Sequence, residues 1–93
     1  MDLNLVVLCG TLSAHPRIEG MPSGRNKVEL KVETNNEKHQ TARYTHVRWM
    51  CSDDELKSLM LFRGDRVWIS GYIAATAVVA EYVQKAGMDD EEG

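Results

Sequence analysis

The pattern of apolar and polar positions in the first half of the chain predicts three β-strands. The segment LNLVVLCGTL, residues 3–12, is almost continuously apolar, which is typical of a strand with both faces covered. KVELKVET, residues 27–34, alternates instead, with valine and leucine on one face and lysine and glutamate on the other. RYTHVRW, residues 43–49, alternates in the same way. Glycines and prolines between the first two strands predict a bend and a turn there.

The third predicted strand has two chemically different faces because side chains alternate with period two. One face holds a threonine, a valine and Trp49, and we interpret it as core. The other face combines an aromatic ring, an imidazole and a guanidinium, from Tyr44, His46 and Arg48. Lys31 alternates onto the corresponding face of the second strand. Two glutamates share that face, so cross-strand ion pairing of Lys31 competes with contact to a ligand.

A short helix is predicted after the third strand. Ser52 is followed three residues later by Glu55, which is the form of a capping box. The helix is expected to end near Gly64. Its apolar stripe is formed by Leu56, Leu59 and Met60.

Two further strands complete the predicted fold. They are RVWISGYI, residues 66–73, and a weaker AVVAEYV, residues 77–83. An all-β chain with one short helix between strands three and four has the element order of an OB-fold, a five-stranded Greek-key barrel. An unrelated small α+β sandwich shares this order. The predicted domain covers residues 1–84, and residues 85–93 form a short acidic tail.

The composition fits one small globular domain, since 43% of the 93 residues are hydrophobic and only two are proline. A chain of this size buries a modest share of its surface, which favours association into a homo-oligomer. Its apolar runs are much shorter than a bilayer span and no export signal is recognised, so we expect a cytoplasmic protein without membrane contact.

Cys9 and Cys51 lack metal-ligand spacing and are interpreted as unpaired thiols, although a disulfide between them stays open.

The charge distribution modifies the first impression given by the net charge of −3, which argues against a phosphate-rich partner. Four of the fourteen acidic residues lie in residues 89–92. Residues 15–50 hold seven Lys and Arg against four acids, and all three histidines. The chain therefore has a mildly basic part, which fits either a nucleic-acid partner or ordinary solvated charge.

Sequence signatures of an enzyme or a metal site are not recognised. The three histidines lack ligand spacing, and neither a nucleophile–base pair nor a Gly-rich phosphate loop is visible. We therefore expect no enzymatic activity, no cofactor and no metal.

Two segments carry a resemblance to a known family. GTLSAHPRIEGMPSG, residues 10–24, resembles the exit of the first strand and the following turn in bacterial single-stranded DNA-binding proteins (SSB). FRGDRVWISGYI, residues 62–73, is similar to the segment that follows the helix in that family, with a Gly-Asp turn and then V-[aromatic]-I-x-G. The similarity runs loosely over residues 3–73. It implies an OB-fold that assembles as a dimer or tetramer and holds single-stranded DNA without reading its sequence.

The resemblance also implies roles for individual residues. Tyr44 falls where the family usually has a tryptophan that stacks on a base, Met50 where it has a phenylalanine, and His46 where it often has an arginine that contacts the strand. An aromatic platform with flanking cations binds any base by stacking and phosphate contacts. The resulting set of DNA-binding residues is Lys31, Arg43, Tyr44, His46, Arg48 and Met50.

Four apolar residues are predicted to form the oligomer interface, because aromatic side chains are enriched in interfaces. For Trp68 and Tyr72 we favour subunit contact over base stacking, and Leu5 and Val7 supply the outer face of the first strand. The family's long basic arm between strands four and five is replaced by residues 74–76. This departure, together with the sparse aromatics, leaves a second interpretation open: a PriB-like or accessory OB-fold subunit that acts through contacts with replication or repair proteins.

Overall fold

The computed structural model describes residues 4–36, 38 and 41–86, which form six strands and one helix. Of the predicted acidic tail, residues 85–93, Lys85 ends the last strand and the Ala86 N–H donates to the Arg66 carbonyl, while residues 87–93 lie outside the described residues. The elements are β1 (Val6–Leu12), β2 (Arg17–Gly20), β3 (Asn26–Asn36), β4 (Thr41–Cys51), α1 (Asp53–Leu59), β5 (Arg66–Ala74) and β6 (Ala77–Lys85).

Five of the strands close into a barrel, which confirms the OB-fold. The neighbours around the barrel are β1, β5, β6, β4 and β3, and β1 pairs again with β3 through Thr11 opposite Glu33 and Leu12 opposite Val32. The β4–β6 pairing is parallel, and the other pairings are antiparallel. Helix α1 connects β4 to β5, as predicted for the third and fourth barrel strands.

The alternation of apolar residues in the sequence correctly predicts the core. Val28, Leu30 and Val32 of β3 are fully buried and meet the inner face of β4, where Trp49 is only 4% exposed. Thr45, which is expected on the core side, is only half-buried, and the pairing of β4 with β6 begins two residues later, at Val47. The other buried apolar side chains are Leu12, Val47, Cys51, Leu61, Val67, Ile69, Val78, Ala80 and Val83.

Glycines in the two recognised segments occupy positions without room for a side chain. A Cβ on Gly10 would collide with the Glu33 carbonyl oxygen and the Val32 side chain, at the point where β1 crosses onto β3. A Cβ on Gly71 would collide with the backbone of Val79, beside the bulge that interrupts the β5–β6 register. Both glycines are therefore needed for barrel closure.

Strand β2 was not predicted. It pairs with the first part of β3 from Arg17 opposite Glu29 to Gly20 opposite Asn26. All four of its residues are exposed, so the sequence RIEG has no apolar alternation to indicate a strand. The strand is recognised only by its main-chain pairing with β3.

The capping box of α1 is confirmed, but the predicted end of the helix is wrong. The Glu55 N–H donates to Ser52 Oγ at 3.1 Å and the Ser52 N–H donates to Glu55 Oε1 at 2.9 Å. This backbone hydrogen bond from Ser52 is the main reason that the pKa of Glu55 lies below its ordinary value. The helix ends at Leu59 because Met60 adopts a left-handed conformation, with φ 49°, and its side chain is 60% exposed instead of packing in the stripe.

The two cysteines are unpaired, as predicted, with Cys9 half-buried and Cys51 buried. Burial, followed by the nearby Glu55 carboxylate, raises the pKa of the Cys51 thiol. Cys51 is therefore a protonated core residue at neutral pH. Among the described residues, no helix is long and apolar enough to cross a bilayer.

Candidate nucleic-acid interface

The antiparallel pairing of β3 with β4 arranges the predicted site residues in rows across the outer surface of the barrel. Opposed residues share a face, so Lys31 lies beside His46 and Glu33 lies beside Tyr44. In the next row Glu29 lies beside Arg48. We call the outer face of β3 and β4 that carries Lys31, Tyr44, His46 and Arg48 the binding face.

Tyr44 presents its ring to solvent on this face. The residue is 53% exposed, and Lys31 Nζ lies 5.0 Å from the centroid of the ring. A lysine ammonium at this distance is attracted to the ring face. Lys31 therefore packs against Tyr44. Among the described residues no carboxylate lies within ion-pair distance of Lys31, so the cross-strand pairing with Glu29 or Glu33 left open by the sequence is not formed.

An open trough of about 500 Å³ adjoins the Tyr44 ring. Lys31, Glu33 and Tyr44 line one side of it, and Arg63 with Gly64 lines another. The end of β1 and the following loop contribute the rest of the wall, residues 11–14. Four segments of the chain thus form one concave surface with a ring, two cations and one carboxylate.

His46 and Arg48 line a second, smaller hollow of about 210 Å³. Glu29 and the two-residue β5–β6 connection, through Thr76, complete it. The binding face therefore has two adjoining depressions, with Lys31 and Tyr44 in one and His46 and Arg48 in the other. The structure places these four predicted residues on one continuous surface.

The other two predicted DNA-binding residues have different surroundings. Met50 is half-buried at the end of β4, where its carbonyl accepts a hydrogen bond of 2.9 Å from Arg25 Nη2. Arg43 is exposed at the far end of the hairpin, opposite Thr34. Because side chains alternate, Arg43 lies on the opposite face of β4 from Tyr44.

The charge on the binding face is mixed. Lys27 lies 3.8 Å from Glu19 and 3.9 Å from Glu29, so its charge is largely compensated. Arg48 and Arg63 have no carboxylate within ion-pair distance in the part of the chain that the structure describes. The surplus of positive charge here is small, and the exposed ring is the more distinctive feature.

The sequence does not indicate Arg63 and Gly64 as site residues, because a Gly-Asp pair is typical of a turn. The available signal was the pair of arginines around the Gly-Asp turn of FRGDR, directly after the helix. A basic residue beside a tight turn is easily interpreted as solvated. Only barrel closure brings this turn next to β3 and β4.

The predicted interface residues lie on a different part of the barrel. Leu5, Val7, Trp68 and Tyr72 are all exposed, and Trp68 is 47% exposed. Cross-strand pairing places Val7 beside Ser70 and Ser70 beside Tyr82, so Tyr82 joins the same surface. A groove of about 260 Å³ runs between Val7, Trp68 and Tyr82. We call this outer face of β1, β5 and β6 the apolar wall.

Comparison with known proteins identifies the fold. No family model matches the chain, and no curated protein matches it. Among solved structures, the single-stranded DNA binding protein of Thermus aquaticus superposes with a TM-score of 0.78 at 24% identity, over 98% of this chain. The dimeric N-terminal domain of the PriB protein from Thermoanaerobacter tencongensis superposes with a TM-score of 0.76 at 18% identity.

The coverage of these matches differs. This chain spans 44% of the Thermus aquaticus protein. The match to the PriB domain covers 97% of that domain and 90% of this chain. A deletion mutant of the Thermus aquaticus protein also matches, with a TM-score of 0.68 at 22% identity over 94% of this chain and 52% of that one. The chain is therefore an OB-fold domain. Its architecture is similar to that of SSB and PriB.

Proposed function

We propose that this chain is a short, divergent SSB-like protein that binds single-stranded DNA without reading its sequence. The observation that carries the proposal is the exposed Tyr44 ring with Lys31 Nζ 5.0 Å from its centroid, at the edge of an open trough on an OB-fold barrel. Unpaired bases expose π-faces, so a base can stack on Tyr44 while Lys31 lies close to the adjoining phosphate.

The remaining cations of the binding face extend this contact. Arg48 and His46 line the adjoining hollow, so a strand that leaves the Tyr44 ring along β4 passes a guanidinium and an imidazole. With few phosphate contacts, log affinity should fall with log salt at a slope of about −0.7 per contact. Glu29 and Glu33 on the same face keep the binding weaker than that of a uniformly basic groove.

We propose further that the apolar wall joins subunits into a homo-oligomer, a dimer or a tetramer. Its exposed rings, Trp68, Tyr72 and Tyr82, are the residue types enriched in interface centres. The PriB domain with the same fold is dimeric. Several subunits on one strand would add weak sites into stronger overall binding through effective concentration.

The cellular role that follows from this activity is protection or presentation of single-stranded DNA during replication, recombination or repair. A second candidate is a PriB-like or accessory subunit that works in replication restart through contacts with other proteins. Two observations favour that candidate: carboxylates on the binding face, and a β5–β6 connection of only two residues, where the SSB family has a basic arm.

Titration of a fluorescent oligo-dT with the wild-type protein, Tyr44→Ala and Tyr44→Phe at two salt concentrations tests the proposal. We expect salt-sensitive binding that Tyr44→Ala weakens by ~1–3 kcal/mol, because the stacked ring is lost. Tyr44→Phe is the matched control, since it keeps the ring and removes only the hydroxyl. No binding by the wild type at low salt, or equal affinity of Tyr44→Ala, would favour the second candidate.

A further inference from the structure

A second exposed ring belongs to the turn that supplies one wall of the trough, and it is not part of the core. Phe62 is 50% exposed, although it directly follows the buried Leu61. Its closest aromatic neighbour is His15, with ring centroids 6.1 Å apart and an interplanar angle of 81°. This edge-to-face arrangement is a favourable one for two aromatic rings. The two rings come from loops 47 residues apart in the sequence.

The turn that carries Phe62 is held in place by several hydrogen bonds. The Phe62 N–H donates to Asp65 Oδ2 at 2.8 Å, and the Asp65 N–H donates to the Phe62 carbonyl at 3.0 Å. The Gly64 N–H donates to the Leu12 carbonyl at 2.8 Å, and the Leu12 N–H donates to the Asp65 carbonyl at 2.9 Å. Asp65 also pairs with Lys85 at 3.4 Å. The turn is therefore fastened to the barrel, and an exposed ring on it is preorganised.

This turn is also a wall of the trough beside Tyr44. Arg63 and Gly64, the two residues after Phe62, line the trough together with Lys31 and Tyr44. The Arg63 N–H approaches His15 Nδ1 at 3.5 Å, which links the loop after β1 to the turn. Arg63, which has no carboxylate partner among the described residues, thus follows Phe62 in the chain and lines the trough.

We propose that Phe62, braced by His15, is a second base platform of the same binding site. A single strand in the trough would stack one base on Tyr44 and a neighbouring base on Phe62, with phosphates near Lys31 and Arg63. Single exposed apolar residues are common on protein surfaces. Phe62 differs from them because its exposed ring is on a hydrogen-bonded turn whose next two residues line a trough with a ring and two cations. The inference rests on the proposed single-stranded DNA binding.

The test compares Phe62→Ala and Phe62→Trp with the wild type, using oligo-dT and an abasic strand of the same length. Phe62→Ala should lower the affinity for oligo-dT about tenfold and leave the affinity for the abasic strand unchanged, because only a base can stack. Phe62→Trp should keep the affinity, and its added fluorescence should be quenched by oligo-dT. Met60→Ala is the matched control, since Met60 is also exposed, two residues before Phe62, but has no ring.

The outcomes separate this inference from the proposed function. If Tyr44→Ala weakens binding but Phe62→Ala does not, the second platform is wrong and the proposed function stands. An equal loss for oligo-dT and the abasic strand would also overturn the platform, because it would indicate a disturbed turn. If the wild-type protein does not bind oligo-dT, both proposals fail. Thermal unfolding of each variant shows whether the fold is retained.

Discussion

The binding face and the apolar wall are two outer surfaces of one barrel with opposite chemistry. On the binding face, one exposed ring, Tyr44, stands among lysine, arginine, histidine and glutamate side chains. On the apolar wall, Trp68 and Tyr82 line a groove with the exposed Val7 of β1, and Tyr72 is exposed on the same strand as Trp68.

This difference fits the two partners proposed above, a single strand of DNA and a second subunit. A flexible, highly charged strand is held by a few rings and cations that together tolerate any sequence. A protein surface is held by a larger apolar area from which water is excluded. Successive side chains of a strand point alternately to the core and to the outside. The outward residues can therefore differ between the two surfaces while the core is shared.

The largest effect is expected from a charge placed in the apolar wall, and it concerns the association of subunits. Trp68→Glu should convert the oligomer to monomers and raise its dissociation constant at least about thirtyfold. Loss of a central interface ring costs ~2 kcal/mol or more, and burial of an unpaired carboxylate adds to that cost. Sedimentation over a range of protein concentrations measures this change.

The matched control for this prediction is Tyr44→Glu, which replaces the exposed ring of the binding face with the same charged side chain. It should leave the oligomer intact and abolish binding of oligo-dT. A wild-type protein that sediments as a monomer at every concentration would contradict the proposal that the apolar wall joins subunits.

A smaller effect is expected from removing one cation of the binding face. Lys31→Gln should weaken binding of oligo-dT at low salt and reduce the steepness of the salt dependence by about 0.7, the value for one phosphate contact on a single strand. The charge-free glutamine also loses its attraction to the Tyr44 ring. Fluorescence titrations at four or more salt concentrations give the slope.

Arg66→Gln is the control for this cation, because Arg66 also lies on the outer surface but on β5. Its guanidinium donates to Thr11 Oγ1 at 3.3 Å and to Cys9 Sγ at 3.4 Å. We expect the slope to stay unchanged in this variant. If both variants change the slope equally, phosphate contacts extend around the barrel and are not confined to the binding face.

The sequence predicts the fold well because the core is encoded locally. The alternation of Val28, Leu30 and Val32, and the position of Trp49, depend only on period two, and all four side chains are buried. The start of α1 is local too, since Ser52 contacts a residue three positions away. The end of α1 has no such local signal. Met60 adopts a left-handed conformation directly before Leu61, whose side chain is buried in the core.

The site is predicted only in part because it depends on pairing between distant segments. Alternation places Tyr44 and Lys31 on outward faces, but only the β3–β4 register decides that the lysine packs on the ring instead of pairing with a glutamate. The trough requires barrel closure, which brings the Phe62–Asp65 turn beside the end of β1. No local pattern contains that contact.

The smallest predicted effect concerns the carboxylate in the trough. Glu33 lies opposite Tyr44 on the neighbouring strand and lines the trough with Lys31, so it repels a phosphate bound there. Glu33→Gln keeps the shape and removes the charge. The affinity for oligo-dT should rise about two- to fourfold at low salt, and this gain should vanish near 0.5 M salt, where screening shortens the range of exposed charges.

Glu81→Gln provides the comparison for Glu33, since Glu81 is an exposed carboxylate on β6, outside the residues that line the trough. It changes the net charge of the protein equally. A gain in Glu33→Gln that exceeds the gain in Glu81→Gln therefore reports the local repulsion in the trough. Equal gains would mean that only the overall charge matters, and a loss of affinity in Glu33→Gln would mean that this carboxylate accepts a hydrogen bond from a base.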